Sequence, residues 1–98
     1  MSTIVIVSAQ ANPDEQNSLK EYSTKAGELI MKAGGRVLKK AKLTRSIKGT
    51  MSYNRVVLFE FPNEEAVDSV FLSSEYKDLL PLRDLAFLSI SISIGEEI

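Results

Sequence analysis

An α+β fold in the order β-α-β-β-α-β, with an antiparallel sheet carrying its helices on one face, is predicted by three observations. Two apolar stripes of helical period, at residues 19–33 and 67–71, lie between strand-like runs. Two β-rich segments, at residues 36–42 and 55–61, sit between those stripes. A strictly alternating run at residues 87–94 follows the second stripe. Helices that separate strands in this split βαβ pattern give the ferredoxin-like arrangement.

Residues 3–9 form the first strand, β-branched and ended by Gln10-Ala11-Asn12-Pro13. Ser18 and Glu21 have the capping-box spacing and are expected to open the first helix. Leu19, Tyr22, Ala26, Leu29, Ile30 and Ala33 are its buried stripe, and Gly34-Gly35 ends it. In the second strand, alternation fails at Lys39-Lys40, where both faces would carry charge, so a bulge or an exposed edge is expected. Residues 43–54 read as a hairpin extension and loop turning at Gly49.

The third strand puts Val57, Phe59 and Phe61 on one face and Val56, Leu58 and Glu60 on the other. Pro62 stops it. Asn63 then reads as an N-cap with Glu64 and Glu65 in the first helical turn, where the helix dipole favours acids. Ser73-Ser74 breaks this second helix and caps a short further turn through Tyr76, and Pro81 bends or restarts the chain. In the last strand Leu88, Ile90, Ile92 and Ile94 share one face and Ser89, Ser91 and Ser93 the other.

The 98 residues fit a single domain spanning 1–98. Hydrophobic residues at 44% and charged residues at 26% are ordinary for a globular chain. Cysteine and histidine are absent, which removes disulfides, thiol nucleophiles, Cys/His zinc sites, a histidine haem ligand and a histidine base. No metal or cofactor is expected. A cytoplasmic protein is expected, without a membrane span, because no apolar run approaches about 20 residues.

Helices cover only one side of such a sheet, which leaves Val56 and Leu58 on an open apolar face. An uncovered apolar face marks an association surface, and two sheets packed face to face make a homodimer. The net charge of −1 conceals a split: no acid lies between Glu28 and Glu60, whereas Lys32, Arg36, Lys39, Lys40, Lys42, Arg45, Lys48 and Arg55 do. That segment is a solvated hairpin protected from edge pairing, or an anion-attracting surface. Nucleic acid is disfavoured, since Tyr53 is the segment's lone stacking residue.

Gly34-Gly35-Arg36, Arg55-Val56-Val57, Glu60-Phe61-Pro62, Glu64-Glu65-Ala66, Ser73 with Glu75-Tyr76, and Pro81-Leu82-Arg83 together resemble the domain of unknown function 1330 family, within the dimeric α+β barrel superfamily. The resemblance covers roughly residues 18–83. It implies a homodimer in which two sheets form a barrel with the helices outside. Relatives in the superfamily include cofactor-free monooxygenases, lactone isomerases, haem-binding peroxidases and ligand-sensing modules, so fold alone names no activity. The chain departs from the family pattern at Ser74, where proline is common, at Lys40-Ala41-Lys42, which replaces a glycine-rich hairpin, and in keeping one tyrosine where two are common before Gly34.

Arg83 is the sharpest site candidate, a lone cation in the apolar run LLPLRDLAF that must reach solvent, pair with Asp84 or Asp78, or hold a ligand carboxylate in a bidentate fork. Tyr22 and Tyr76 lie on apolar helix faces, as core rings or as hydroxyls positioning a phenol or acid. Glu60 closes an apolar strand and either pairs with a basic residue or serves as a base. The reading is a dimeric small-molecule module with ligand-binding Arg83, Tyr22 and Tyr76. Cofactor-free chemistry on a small organic acid or phenolic would draw on Glu60 or Tyr76. The alternative is a non-enzymatic structural or protein-interaction module that uses the basic hairpin.

Overall fold

Apolar side chains that alternate along the strands and recur every third or fourth residue along the helices meet in one layer between sheet and helices. The computed structural model describes residues 2–98. The elements are β1 (Thr3–Ala11), α1 (Gln16–Lys32), β2 (Arg36–Lys42), β3 (Arg55–Phe61), α2 (Glu64–Phe71), α3 (Ser74–Lys77), α4 (Leu80–Ala86) and β4 (Phe87–Glu96). The strands make one antiparallel sheet in the order β2-β3-β1-β4, as the ferredoxin-like arrangement requires. No described helix is long and apolar enough to cross a membrane.

Register decides which side chains meet the helices. Val5 opposes Phe59 and Ile94, and Val7 opposes Val57 and Ile92. This face packs on the helices, where Val5, Ala9 and Phe61 join Tyr22, Ala26 and Ile30 of α1, Val67 and Val70 of α2, and Tyr76 of α3 in the buried core. The other face carries Ile4, Ile6, Val56 and Leu58 beside Ser91 and Ser93, with no helix over it. The molecule is accordingly thin, 33 × 33 × 16 Å between Cα extremes.

Two bulges re-aim side chains. In β2 the register passes from Val37↔Phe59 to Lys39↔Leu58, so Leu38 is the extra residue, just before Lys39-Lys40 where alternation failed. In β4 it passes from Gln10↔Ser89 to Ala11↔Phe87. Leu88 is therefore the extra residue and is 64% exposed, while Phe87 turns into the core. The expectation that Leu88 shares a face with Ile90 is thus corrected.

The expected capping box at Ser18 and Glu21 does not form. Asn12 starts the turn earlier, accepting from Asp14 N–H at 3.1 Å through its side chain and from Glu15 N–H at 3.1 Å through its carbonyl. Glu15 becomes the N-cap and Ser18 Oγ donates to its carboxylate at 2.8 Å, while Glu21 pairs with Lys25. At the other end Gly35 N–H reaches Ile30 C=O at 2.9 Å and Gly34 N–H reaches Met31 C=O at 3.0 Å, a Schellman closure with Gly34 at φ 86°. A Cβ on Gly35 would stand 2.7 Å from Ile30 Cγ2 and 2.9 Å from Phe61, so β2 enters the sheet by touching the core.

Asn63 Oδ1 accepts from Ala66 N–H at 2.8 Å and Ser73 Oγ accepts from Tyr76 N–H at 3.0 Å, the two caps expected for α2 and α3. Pro81 lies in the first turn of α4, where no intrahelical N–H is needed. The expected hairpin extension is not formed: a bond from Leu43 N–H to Asn54 C=O at 2.8 Å closes an irregular loop turning at Gly49.

Candidate functional site

Between α1 and the sheet lies a cavity of about 350 Å³, within the range of small-molecule sites. Its floor is apolar, from Val7 and Ala9 of β1, Val57 and Phe59 of β3, and Ile90 and Ile92 of β4; Phe71 of α2 and Phe87 add aromatic walls. Its roof is α1 from Tyr22 to Ile30, where Ala26 and Gly27 present almost no side chain. A Cβ built on Gly27 would meet nothing within 4 Å. Glycine in mid-helix costs about 1 kcal/mol against alanine, so its place here keeps room at a stability cost.

Tyr22 and Tyr76, separate in sequence, come together. Their hydroxyls are 2.7 Å apart and buried, and the rings stack edge to face, with Tyr22 also against Phe87 and Tyr76 against Phe71. Tyr22 lines the cavity and Tyr76 stands behind it. Burial first, and then the hydrogen bond and charge of Tyr76, push the Tyr22 phenol well above its ordinary range, against an opposing pull from Arg83. Tyr22 is thus a neutral donor at physiological pH and not a base.

Arg83 backs the pair and is not among the cavity-lining residues. Burial lowers its affinity for the proton, but the Tyr76 hydroxyl, Asp84 and Tyr22 outweigh this and hold it above its ordinary value. Nη2 is 3.5 Å from the exposed Asp84 carboxylate, and Nε is buried with no protein partner. A guanidinium only donates. Its positive charge near the Tyr76 hydroxyl favours the arrangement in which Tyr76 O–H donates to Tyr22 and the Tyr22 proton is left for a further acceptor.

Glu60 lies on the other face of the sheet. Arg36 Nε donates to Glu60 Oε1 at 2.8 Å and Nη2 reaches the same oxygen at 2.6 Å. That bond, followed by one from Ser2, keeps the carboxyl below the usual carboxylate range. The pairing makes it a weak base, and no path joins it to the cavity through the sheet.

Sequence reasoning gave the cations that line the cavity only as members of a segment read as a solvated hairpin or an anion-attracting surface, and placed none of them at the site. Lys40 and Lys42 of β2 and Arg55 of β3 sit at its rim, and no acid lines it. The signal was present in the broken alternation at Lys39-Lys40: without the bulge, Lys39 and Ala41 would take the helix-facing positions. Gly27 carried a second signal, a helix-weakening residue inside a buried stripe.

Many solved structures resemble the chain across nearly its full length, three of them as follows. A protein of unknown function from Rhodopseudomonas palustris superposes with TM-score 0.85 at 14% identity, over 99% of this chain and 82% of that one. A dimeric ferredoxin-like protein of unknown function from Jannaschia sp. gives 0.71 at 12% identity, over 99% and 100%. An antibiotic biosynthesis monooxygenase-like protein from Nitrosomonas europaea gives 0.65 at 15% identity, over 99% and 90%. At these identities the likeness shows the ferredoxin-like fold alone. No curated protein matches the sequence. Residues 5–92, nearly the whole chain, match the domain of unknown function family DUF1330, and the protein belongs to that family.

Proposed function

We propose that the protein is a homodimer in which each subunit binds a small organic molecule in the cavity between α1 and the sheet. The observation that carries this reading is a pocket of about 350 Å³ between α1 and the sheet of a 98-residue domain, roofed at a glycine that costs the helix stability. A domain this small has little core to spare, so leaving apolar side chains along a solvent-reached pocket costs stability that binding would offset. The apolar open face, with Ile6 37% exposed in the single chain, supports the dimer, as does the likeness to a structure described as dimeric.

Tyr22 serves the ligand as a hydrogen-bond donor, with Tyr76 and Arg83 as positioning residues that orient it. Any chemistry at this site would be cofactor-free, with the Tyr22 phenol polarising the ligand as a neutral hydrogen-bond donor, since its raised pKa makes it a poor source of a full proton. The placement of Lys40, Lys42 and Arg55 at the cavity favours the ligand over the interaction module that the basic hairpin alone would support.

Gly27→Leu tests the cavity. The substitution fills open space without removing core, so the variant should melt at or above the wild-type temperature. Small aromatic and aliphatic acids and their amides should raise the melting temperature of the wild type and leave the variant unmoved. Equal shifts in both proteins would place binding elsewhere and overturn the reading.

A further inference from the structure

We propose that the cavity selects amphipathic acids, with an apolar body against Val57, Phe59 and Ile92 and an anionic group at the rim formed by Lys40, Lys42 and Arg55. The inference rests on the cavity reading and gives its ligand a charge. The β2 bulge is the first support: with Leu38 as the extra residue, Lys40 falls opposite Val57 and Lys42 opposite Arg55, on the helix-facing side of the sheet. Bulges re-aim side chains in this way beside functional sites. A regular strand would have offered one lysine and one alanine instead of two lysines.

The second support is a like-charge pairing that no protein acid neutralises. Lys42 and Arg55 are directly opposite on adjacent strands, an arrangement that destabilises a sheet unless something neutralises it. Among the described residues the ion pairs engage Lys25, Arg36 and Arg83, none of them at the rim. No acid lines the cavity, so an anion that neutralised the pair would come from outside it. The apolar floor lowers the local dielectric and strengthens the attraction. Together these features fit one molecule with a hydrophobic body and one negative end.

Calorimetric titration with acid and amide pairs tests the charge separately from the cavity. Benzoate with benzamide, 2-naphthoate with 2-naphthamide, and octanoate with octanamide span the sizes that fit. Acids that fit should bind the wild type about tenfold tighter than their amides, as a charge-assisted contact gives. The Lys42→Gln/Arg55→Gln variant should lose that preference while keeping its amide affinity, and Lys40→Gln should lose part of it. Amides that bind as tightly as acids would overturn the proposal and leave the cavity reading standing. A preference that survives the double variant would overturn it too. If no member of any pair binds, the cavity reading falls and the proposal with it.

Discussion

The two faces of the sheet are built from the same kinds of residue and have different fates. On the helix side, Val5, Ala9 and Phe61 are essentially inaccessible, and the space left over is a cavity with a phenol on its roof and cations at its rim. On the other side Ile6 is exposed and Ile4, Val56 and Leu58 are half-buried with no helix over them, beside the Arg36–Glu60 ion pair. Alternation makes both faces apolar, but only one has helices to cover it. The proposed ligand and the proposed partner would therefore use different surfaces, and each could be removed without the other.

The largest expected effect comes from breaking the covered face. Phe61 is 0% exposed and touches the Gly35 entry to β2. Phe61→Ala should cost about 3–5 kcal/mol in denaturant unfolding, as large-to-small changes in a close-packed core do. A loss below about 1 kcal/mol would mean that the core adjoining the cavity is not close-packed.

Breaking the open face should instead spare the fold and remove the partner. Leu58→Asp places like charges near each other across a face-to-face dimer, which costs several kcal/mol of association. Sedimentation should show a folded monomer at concentrations where the wild type is dimeric. An unchanged dimer would put the interface elsewhere.

Alkali sharpens the covered face further. The Tyr22 pKa is raised by burial, so the unfolded chain releases this proton first, near its ordinary value of about 10. Stability from Tyr22 is complete below that pH and falls as pH rises above it, by up to about 1.4 kcal/mol per pH unit. Tyr22→Phe should flatten the alkaline limb of unfolding free energy against pH. A limb of unchanged steepness would show that Tyr22 ionises as freely in the folded protein as in the unfolded one.

Gly27→Ala should have the smallest effect and the opposite sign. Its Cβ meets open space, so helix propensity alone should raise stability by about 1 kcal/mol. Destabilisation on thermal unfolding would show that the roof is closed at this point.

The strand order, both caps of α2 and α3 and the glycine end of α1 were legible, because each rests on local chemistry that the surrounding fold does not oppose. The start of α1 was not: Asn12 captured the turn before Ser18 could, and two competing caps cannot be ranked from spacing alone. Leu88 was misplaced for a similar reason, since a bulge hides inside perfect alternation. At the site, Tyr22 and Tyr76 were singled out from their helix faces, but their pairing across 54 positions was beyond local pattern. Arg83 drew attention as an isolated cation, whereas Lys40, Lys42 and Arg55 were hidden in a charged run where any member could face solvent.

The most direct test of the central claim, that the covered face holds the ligand, is a methyl-resolved NMR titration with 2-naphthoate. Saturable shifts at Val7, Val57, Ile90 and Ile92, with Ile4, Ile6 and Leu58 unmoved, are the predicted result. Shifts confined to Ile4, Ile6 and Leu58 would contradict it.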